Sequence, residues 1–303
     1  MLSVRPKRRM RKPEGSMKAD EVKKVGVIGC GIMGSGIVEV AAKSGTQVIY
    51  VEVDGEAKER GWKRIESSMA KAVERGKLED SARNEALSLI SGSVDVADIA
   101  DVDLVIEAAT EDLATKRDVF MRVDGLVRPE VVLATNTSSL PIAELASVTK
   151  RPDMVVGMHF FNPPPVMKLL EVIRALTTSD ETLDFALRMG ERMGKTTVVA
   201  KDRAGFIVNF LLVPYLNAAA HMLDEGFATR EDIDTAIKLG LGHPMGPLTL
   251  ADFIGLDTAV HVANVLYDEF KDPLYSPPTI LKRMVAAGWL GRKSGRGFYD
   301  YDK

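Results

Sequence analysis

From Lys23 onward, short apolar runs rich in β-branched residues alternate with longer stretches of helical spacing. That alternation is what a parallel sheet covered by helices on both faces requires. The runs VGVIG, TQVIYVE, VDLVIEA and VVLATN predict parallel strands. Between the first two, SGIVEVAAKSG carries apolar residues at helical spacing and closes on Gly45, a suitable C-terminal cap. Between the second and third, the charged segment GEAKERGWKRIESSMAKAVERGKLEDSARNEAL predicts two helices projecting from the sheet. Farther along, MVVGMHFF and VMKLLEVI flank the turn-forming NPPP at 162 to 165, which predicts an antiparallel hairpin added to the sheet.

After KTTVVA, near residue 200, strand patterns give way to helical ones. The run AGFIVNFLLVPYLNAAAHMLDEG opens that last third, and Pro214 should kink or divide it. Thr229 to Asp232 has capping-box spacing for the next helix, and LGLGHPMGP reads as a loop. The expected organisation is an α/β domain over residues 21–204 and an all-α domain over 205–303. The first twenty residues stand apart. They hold Arg5, Lys7, Arg8, Arg9, Arg11 and Lys12 without apolar periodicity, and predict a disordered basic tail.

Composition narrows the function more than the fold. A chain of 303 residues with 46% apolar content suffices for two cores. Lysine and arginine total 40 against 43 acidic residues, so no global charge favours a nucleic-acid partner. The single cysteine, Cys30, excludes an internal disulfide, and no Cys/His spacing suggests a metal site. No run approaches the roughly 18 apolar residues that span a bilayer. The expectation is a cytoplasmic protein without a membrane or nucleic-acid partner.

The motif GCGIMG at 29 to 34 lies between the first strand and the first helix, the context in which a glycine pattern carries meaning. Gly29 permits a tight turn, Gly31 lets the backbone approach a pyrophosphate, and Gly34 allows close helix packing, with Ile32 and Met33 opening the helix. Glu52 follows the second strand, where a carboxylate accepts hydrogen bonds from ribose hydroxyls and repels the extra phosphate of NADP. The predicted fold is therefore of Rossmann type and the predicted cofactor NAD. Asp54 is a weaker ribose partner, and Cys30, inside the loop, reads as a small buried side chain.

His159 and Glu171 lie on either side of the proline turn, with their midpoint at residue 165. If the arms pair about that point, the two are cross-strand neighbours with Cβ atoms roughly 5 Å apart. The carboxylate would then fix the imidazole tautomer and favour the imidazolium, readying the ring to exchange a proton with a substrate hydroxyl. Removing a carbinol proton is what hydride transfer to a nicotinamide needs. His221, His243 and His261 have no such partner in the pattern. The polar turn TNTSSLPI follows the last parallel strand, where Asn136, Ser138 and Ser139 can donate to a substrate oxygen, and Ser138 or Ser139 can instead cap a helix.

The motifs GCGIMG, ATNTSSLPI, HFFNPPPVMKLLEVI, DRAGFIVN, GHPMGPLTLADFIGLD and GRKSGRGFYDY, in that order, resemble those of the short-chain L-3-hydroxyacyl-CoA dehydrogenases, particularly bacterial ones acting on 3-hydroxybutyryl-CoA. The likeness covers about residue 23 to the end and leaves out the basic tail. It implies that His159 is the general acid/base with Glu171 as partner, that Ser138 binds the reacting oxygen, and that Asn209 is a further polar group at the site. It also implies Glu52 on the adenosine ribose and Glu111 with Lys116 near the nicotinamide and substrate. Ser68 matches a position touching CoA, and Arg75 stands where the family can have lysine. A homodimer built on the helical domain, an acyl-CoA substrate and a place in fatty-acid β-oxidation are implied as well. Rival readings are a relative acting on a hydroxy acid without CoA, such as L-gulonate, and a catalytically silent nucleotide-binding protein. HFF and MKLLEVI favour the CoA branch, and the joint presence of His159, Glu171, Ser138 and Asn209 speaks against a silent one.

Overall fold

A computed structural model describes residues 17–301, so the basic run from Arg5 to Lys12 lies outside the described residues. The last residues assigned to the tail are nevertheless held. Ala19 and Val22 are buried, and Arg192 Nη1 donates to their carbonyls at 2.9 and 2.7 Å, so the packed part of the chain begins a few residues before 21.

The chain divides into two compact units, one of residues Met1–Thr137 and Ile142–Val199, the other of Ser138–Pro141 and Ala200–Lys303. In order, the first unit and its boundary hold β1 (Lys24–Ile28), α1 (Ile32–Lys43), β2 (Gln47–Val51), α2 (Gly55–Glu74), α3 (Asp80–Ser88), β3 (Ile90–Ser93), β4 (Leu104–Glu107), α4 (Leu113–Asp124), β5 (Val132–Thr135), α5 (Ile142–Ala146), β6 (Val155–Phe160), β7 (Leu169–Arg174), α6 (Asp180–Arg192) and β8 (Thr196–Lys201). The strands form one eight-stranded sheet in the order β3-β2-β1-β4-β5-β6-β7-β8. The pairs from β3 to β6 are parallel, and β6 with β7 is antiparallel.

Burial follows position in the sheet. β4 and β5 are buried along their length, as apolar strands covered on both faces must be, whereas the edge strand β3, Ile90–Ser93, is half polar and half exposed. Val25, Val27, Ile37, Leu104, Ile106 and Val156 lie in one continuous core. Chain order reverses between β1 and β4, and the loops leaving their carboxyl ends at Gly29 and Ala108 lie side by side. Such a switch point is where ligands bind in open α/β sheets.

The second unit is helical: α7 (Val208–Asp224), α8 (Arg230–Gly240), α9 (Pro247–Ile254), α10 (Leu256–Phe270) and α11 (Thr279–Ala286). Thr229 caps α8 as its spacing predicts, accepting from Asp232 N at 3.1 Å. Pro214 does not divide α7, which runs continuously past it. Buried carboxylates organise this unit. Asp252 accepts from Phe298 N, Tyr299 N and Tyr301 Oη at 2.9, 3.0 and 2.9 Å, while burial raises its pKa above the ordinary aspartate value. Asp234 likewise takes the first amides of α9, from Leu248 and Thr249, at 2.8 and 2.9 Å.

Candidate active site

The glycine loop joins β1 to α1 with three different steric demands. Gly29 has φ of 88°, in the left-handed region, and a Cβ there would meet Ala108 O at 2.8 Å. A Cβ on Gly34 would fall 1.8 Å from Gly29 O, so only glycine lets the helix close on the loop. Gly31 differs: a Cβ there meets nothing within 4 Å. Packing within the chain does not require that glycine, which fits a position kept open for the close approach of a bound pyrophosphate. Gly31 is also the N-cap of α1 and supplies no side-chain acceptor, so the amides of the first turn are turned toward whatever binds there. These features fit a pyrophosphate, and Gly29, Gly31, Ile32, Met33 and Gly34 are the residues that would hold it.

Glu52, just past β2, reaches back into the loop, where its Oε1 accepts from Cys30 N at 2.6 Å. The ribose-binding candidate and the phosphate-binding candidate are thus one hydrogen-bonded unit. Asp54 has another task, capping α2 by accepting from Ala57 N at 2.7 Å. Cys30 is fully buried, and its sulfur fills the space left by Gly61 of α2, where a Cβ would fall 2.7 Å from Sγ. Burial, with the Glu52 carboxylate adding to it, pushes the thiol up to about 12. Cys30 is a packing residue. Ile32 and Val53, by contrast, expose apolar side chains flanking the loop, at 68% and 88%.

Beside the loop, the carboxyl ends of β4 and β5 carry a buried ionic network that the sequence reading missed in its central member. Glu107 ends β4 at 1% exposure and accepts from Lys116 Nζ at 2.7 and 2.8 Å, Ala109 N at 2.7 Å and Thr135 Oγ1 at 2.7 Å. Lys116, on α4, is also 1% exposed, with Glu111 Oε2 at 3.5 Å, and Thr137 Oγ1 donates to Glu111 Oε1 at 2.6 Å. The candidate cofactor residues Glu111 and Lys116 are therefore brought together, with the ammonium directed into carboxylates rather than outward. Asn136 sits on the same edge, and its Oδ1 accepts from Phe160 N, next to His159, at 2.9 Å.

The hairpin of β6 and β7 pairs His159 directly with Glu171. His159 Nδ1 lies 2.8 Å from Glu171 Oε2, with the two residues 4% and 0% exposed. The register centred on residue 165 is the one observed. The Phe161 ring packs against the imidazole at a centroid distance of 4.7 Å. Glu171 thus engages the Nδ1 side of the ring and fixes its orientation within the sheet.

Ser68 lies half-buried on α2, and Arg75, about two turns on, is the exposed residue that caps the C-terminal end of that helix. Ser138 and Asn209 belong to the second unit, Ser138 half-buried in the turn before α5 and Asn209 half-buried in the first turn of α7. His221 and His261 lie on α7 and α10, and His243 is 3.4 Å from the Tyr215 hydroxyl.

Comparison with known proteins decides the family. Residues 24–203 match the 3-hydroxyacyl-CoA dehydrogenase NAD-binding domain, and residues 205–301 match the C-terminal domain of the same family. The chain belongs to the 3-hydroxyacyl-CoA dehydrogenase family. Among its relatives is a 3-hydroxybutyryl-CoA dehydrogenase of Mycobacterium tuberculosis, 48% identical over 288 residues that cover 93% of this chain and all of that one. The crystal structure of M. tuberculosis FadB2 superposes with a TM-score of 0.91 at 47% identity, covering 93% of this chain and 99% of that one. The (S)-3-hydroxybutyryl-CoA dehydrogenase PaaH1 of Ralstonia eutropha gives 0.88 at 45% identity, covering 93% and 100%. The first unit is thus this family's NAD-binding domain. No helix among the described residues is long and apolar enough to cross a membrane.

Proposed function

We propose that the protein interconverts an (S)-3-hydroxyacyl-CoA, with 3-hydroxybutyryl-CoA as the favoured substrate, and the matching 3-oxoacyl-CoA. The observation that carries this reading is the buried His159–Glu171 pair, 2.8 Å apart, on the sheet of an NAD-binding domain. Bound NAD supplies the hydride acceptor, or in the reverse direction NADH the donor. In oxidation His159 Nε2 takes the hydroxyl proton of the substrate, and Glu171 holds the ring's orientation and stabilises the imidazolium that forms. In reduction the same nitrogen returns the proton to the carbonyl oxygen. Ser138 and Asn209 are the further groups proposed to hold the reacting oxygen. Glu52 is proposed for the adenosine ribose, Glu111, Lys116 and Asn136 for the nicotinamide edge, and Ser68 with Arg75 for the CoA moiety. Two of the relatives named above, the M. tuberculosis enzyme and PaaH1, carry the name 3-hydroxybutyryl-CoA dehydrogenase and support the short acyl chain.

A homodimer is proposed on the helical unit, which exposes Leu211, Phe227, Leu239 and Leu241 at 65%, 77%, 81% and 63%. A cytoplasmic location and a place in β-oxidation complete the reading. The test is NADH absorbance in the presence of acetoacetyl-CoA, with NADPH, free acetoacetate, and L-gulonate plus NAD as comparators. NADH consumption with acetoacetyl-CoA alone is the expected result. Turnover confined to L-gulonate, or none at all, would overturn the CoA assignment.

A further inference from the structure

The connection between β6 and β7 runs from Phe161 to Lys168, far longer than the two-residue turns whose geometry sets hairpin register by itself. Register matters here, because a slip of one residue would turn His159 and Glu171 to opposite faces. The connection is mostly exposed, yet Pro164 within it is buried. Its ring rests on Gly36 of α1, where a Cβ would fall 2.6 Å from Pro164 Cδ and 2.8 Å from Cγ. Gly36 lies outside the GCGIMG fingerprint, so this contact, rather than phosphate binding, accounts for it.

A second anchor is polar. Lys195, between α6 and β8, is 9% exposed, and its ammonium donates to the carbonyls of Pro164 and Met167, the latter at 2.9 Å. The next residue, Thr196, donates its amide to Lys168 O at 2.8 Å. Burial lowers the Lys195 pKa and Lys43 of α1 lowers it further, while Glu39, also on α1, acts in the opposite sense. Glu39 is 1% exposed, with Lys43 Nζ 3.6 Å from Oε1, and no hydrogen bond reaches either of its oxygens among the described residues. A carboxylate left in such surroundings is costly unless cations stand near it, and Lys43 and Lys195 are those cations. The helix that begins at the glycine loop therefore meets the His159 hairpin at the Gly36–Pro164 contact, and its Glu39 acts electrostatically on the lysine that clamps the same connection.

We infer that Lys195, together with Gly36, is a positioning residue that sets the register of the His159–Glu171 hairpin and seats it on the cofactor helix. Neither residue touches substrate or cofactor in this role, and the inference rests on His159 being the acid/base group.

Two variants approach the anchor from opposite sides: Lys195→Met removes the clamp on the two carbonyls, and Gly36→Ala pushes the proline ring away while leaving the lysine in place. Each would be assayed for kcat, KM, NADH affinity by fluorescence, and the downfield proton resonance of the His159 imidazole, assigned by its disappearance in His159→Gln. In both variants kcat should fall about 10–100-fold, as a displaced acid/base group implies. The histidine resonance should shift or broaden, with NADH affinity held within about twofold. Folded variants with wild-type kcat and an unchanged resonance would overturn the proposal. So would a loss of NADH affinity matching the loss of rate, or failure of both variants to fold, because the anchor would then hold the domain together rather than place the histidine. If the wild-type protein turns over no acyl-CoA, the assigned activity fails, and the resonance still decides whether Lys195 and Gly36 place the ring.

Discussion

Two buried acid–base pairs stand in the same sheet and are built to opposite ends. Glu107 is saturated: both oxygens take Lys116, and a backbone amide and a threonine hydroxyl complete the set. Its partner is the Lys116 ammonium, itself buried and held by both carboxylate oxygens. Glu171 instead faces an imidazole, the one side chain whose ordinary titration lies near neutrality. The first pair fixes the loops after β4 and β5, and the second is the one to which proton exchange is assigned in the proposed function. The lesson is that burial and pairing alone do not mark a catalytic carboxylate. The partner differs between the two pairs, an ammonium in one and an imidazole in the other.

Breaking the titratable pair should give the largest effect on turnover. His159→Gln removes the proton acceptor without touching the glycine loop, so kcat should fall by about 10³-fold or more, with the fold and NADH affinity retained. Steady-state rates and NADH fluorescence titration check both halves. Breaking the closed pair should show first in stability. Lys116→Met strands a buried carboxylate and should cost about 3–5 kcal/mol in urea unfolding. Adding Glu107→Gln to it should restore most of that loss, which an independent pair of substitutions would not do.

Glu171→Gln sharpens the comparison at lower amplitude. The amide oxygen still accepts from Nδ1, but the charge that stabilises an imidazolium is gone, and kcat should fall by about 10²-fold with a stability loss of only about 1–2 kcal/mol. The smallest effect belongs to Cys30, buried beside Glu52, whose charge adds to the effect of burial and outweighs that of Arg64. The folded thiol titrates at about 12 against an ordinary value of 9.0, so the unfolded chain gives up this proton first. Its contribution to stability is complete below the unfolded value and is lost as pH rises toward the folded one. Urea midpoints measured on either side of pH ~9 should fall with pH, and Cys30→Ala should lessen the onset of that fall. The remaining decline at higher pH should come from Tyr50, Tyr299 and Tyr301, which burial also holds protonated.

Most of the sheet was legible because its strands are apolar runs in a fixed order with helices, and the His159–Glu171 register followed from symmetry about residue 165. The steric demands at Gly29 and Gly34 also follow from a strand turning directly into a helix. What escaped was whatever no local pattern links. Glu107 reads as the polar end of a strand, since its cation is on another element and no periodicity links the two. The edge strand β3 lacks an apolar pattern because half of it faces solvent. Lys195 carries no motif, because its partners are backbone carbonyls, which any sequence can present. Pro214 shows the limit of a local rule: a kink or a division is expected there, and α7 is not divided.

The second unit is discontinuous in sequence, since Ser138–Pro141 belongs with Ala200–Lys303 although the residues on both sides of that tetrapeptide belong to the first. For shuffling of genes, natural or in the laboratory, one crossover near residue 200 does not exchange this unit as a cassette. The chimera would keep the tetrapeptide of one parent, with Ser138 in it, among helices from the other. Relatives can trade their helical domains intact only if those four residues travel with them.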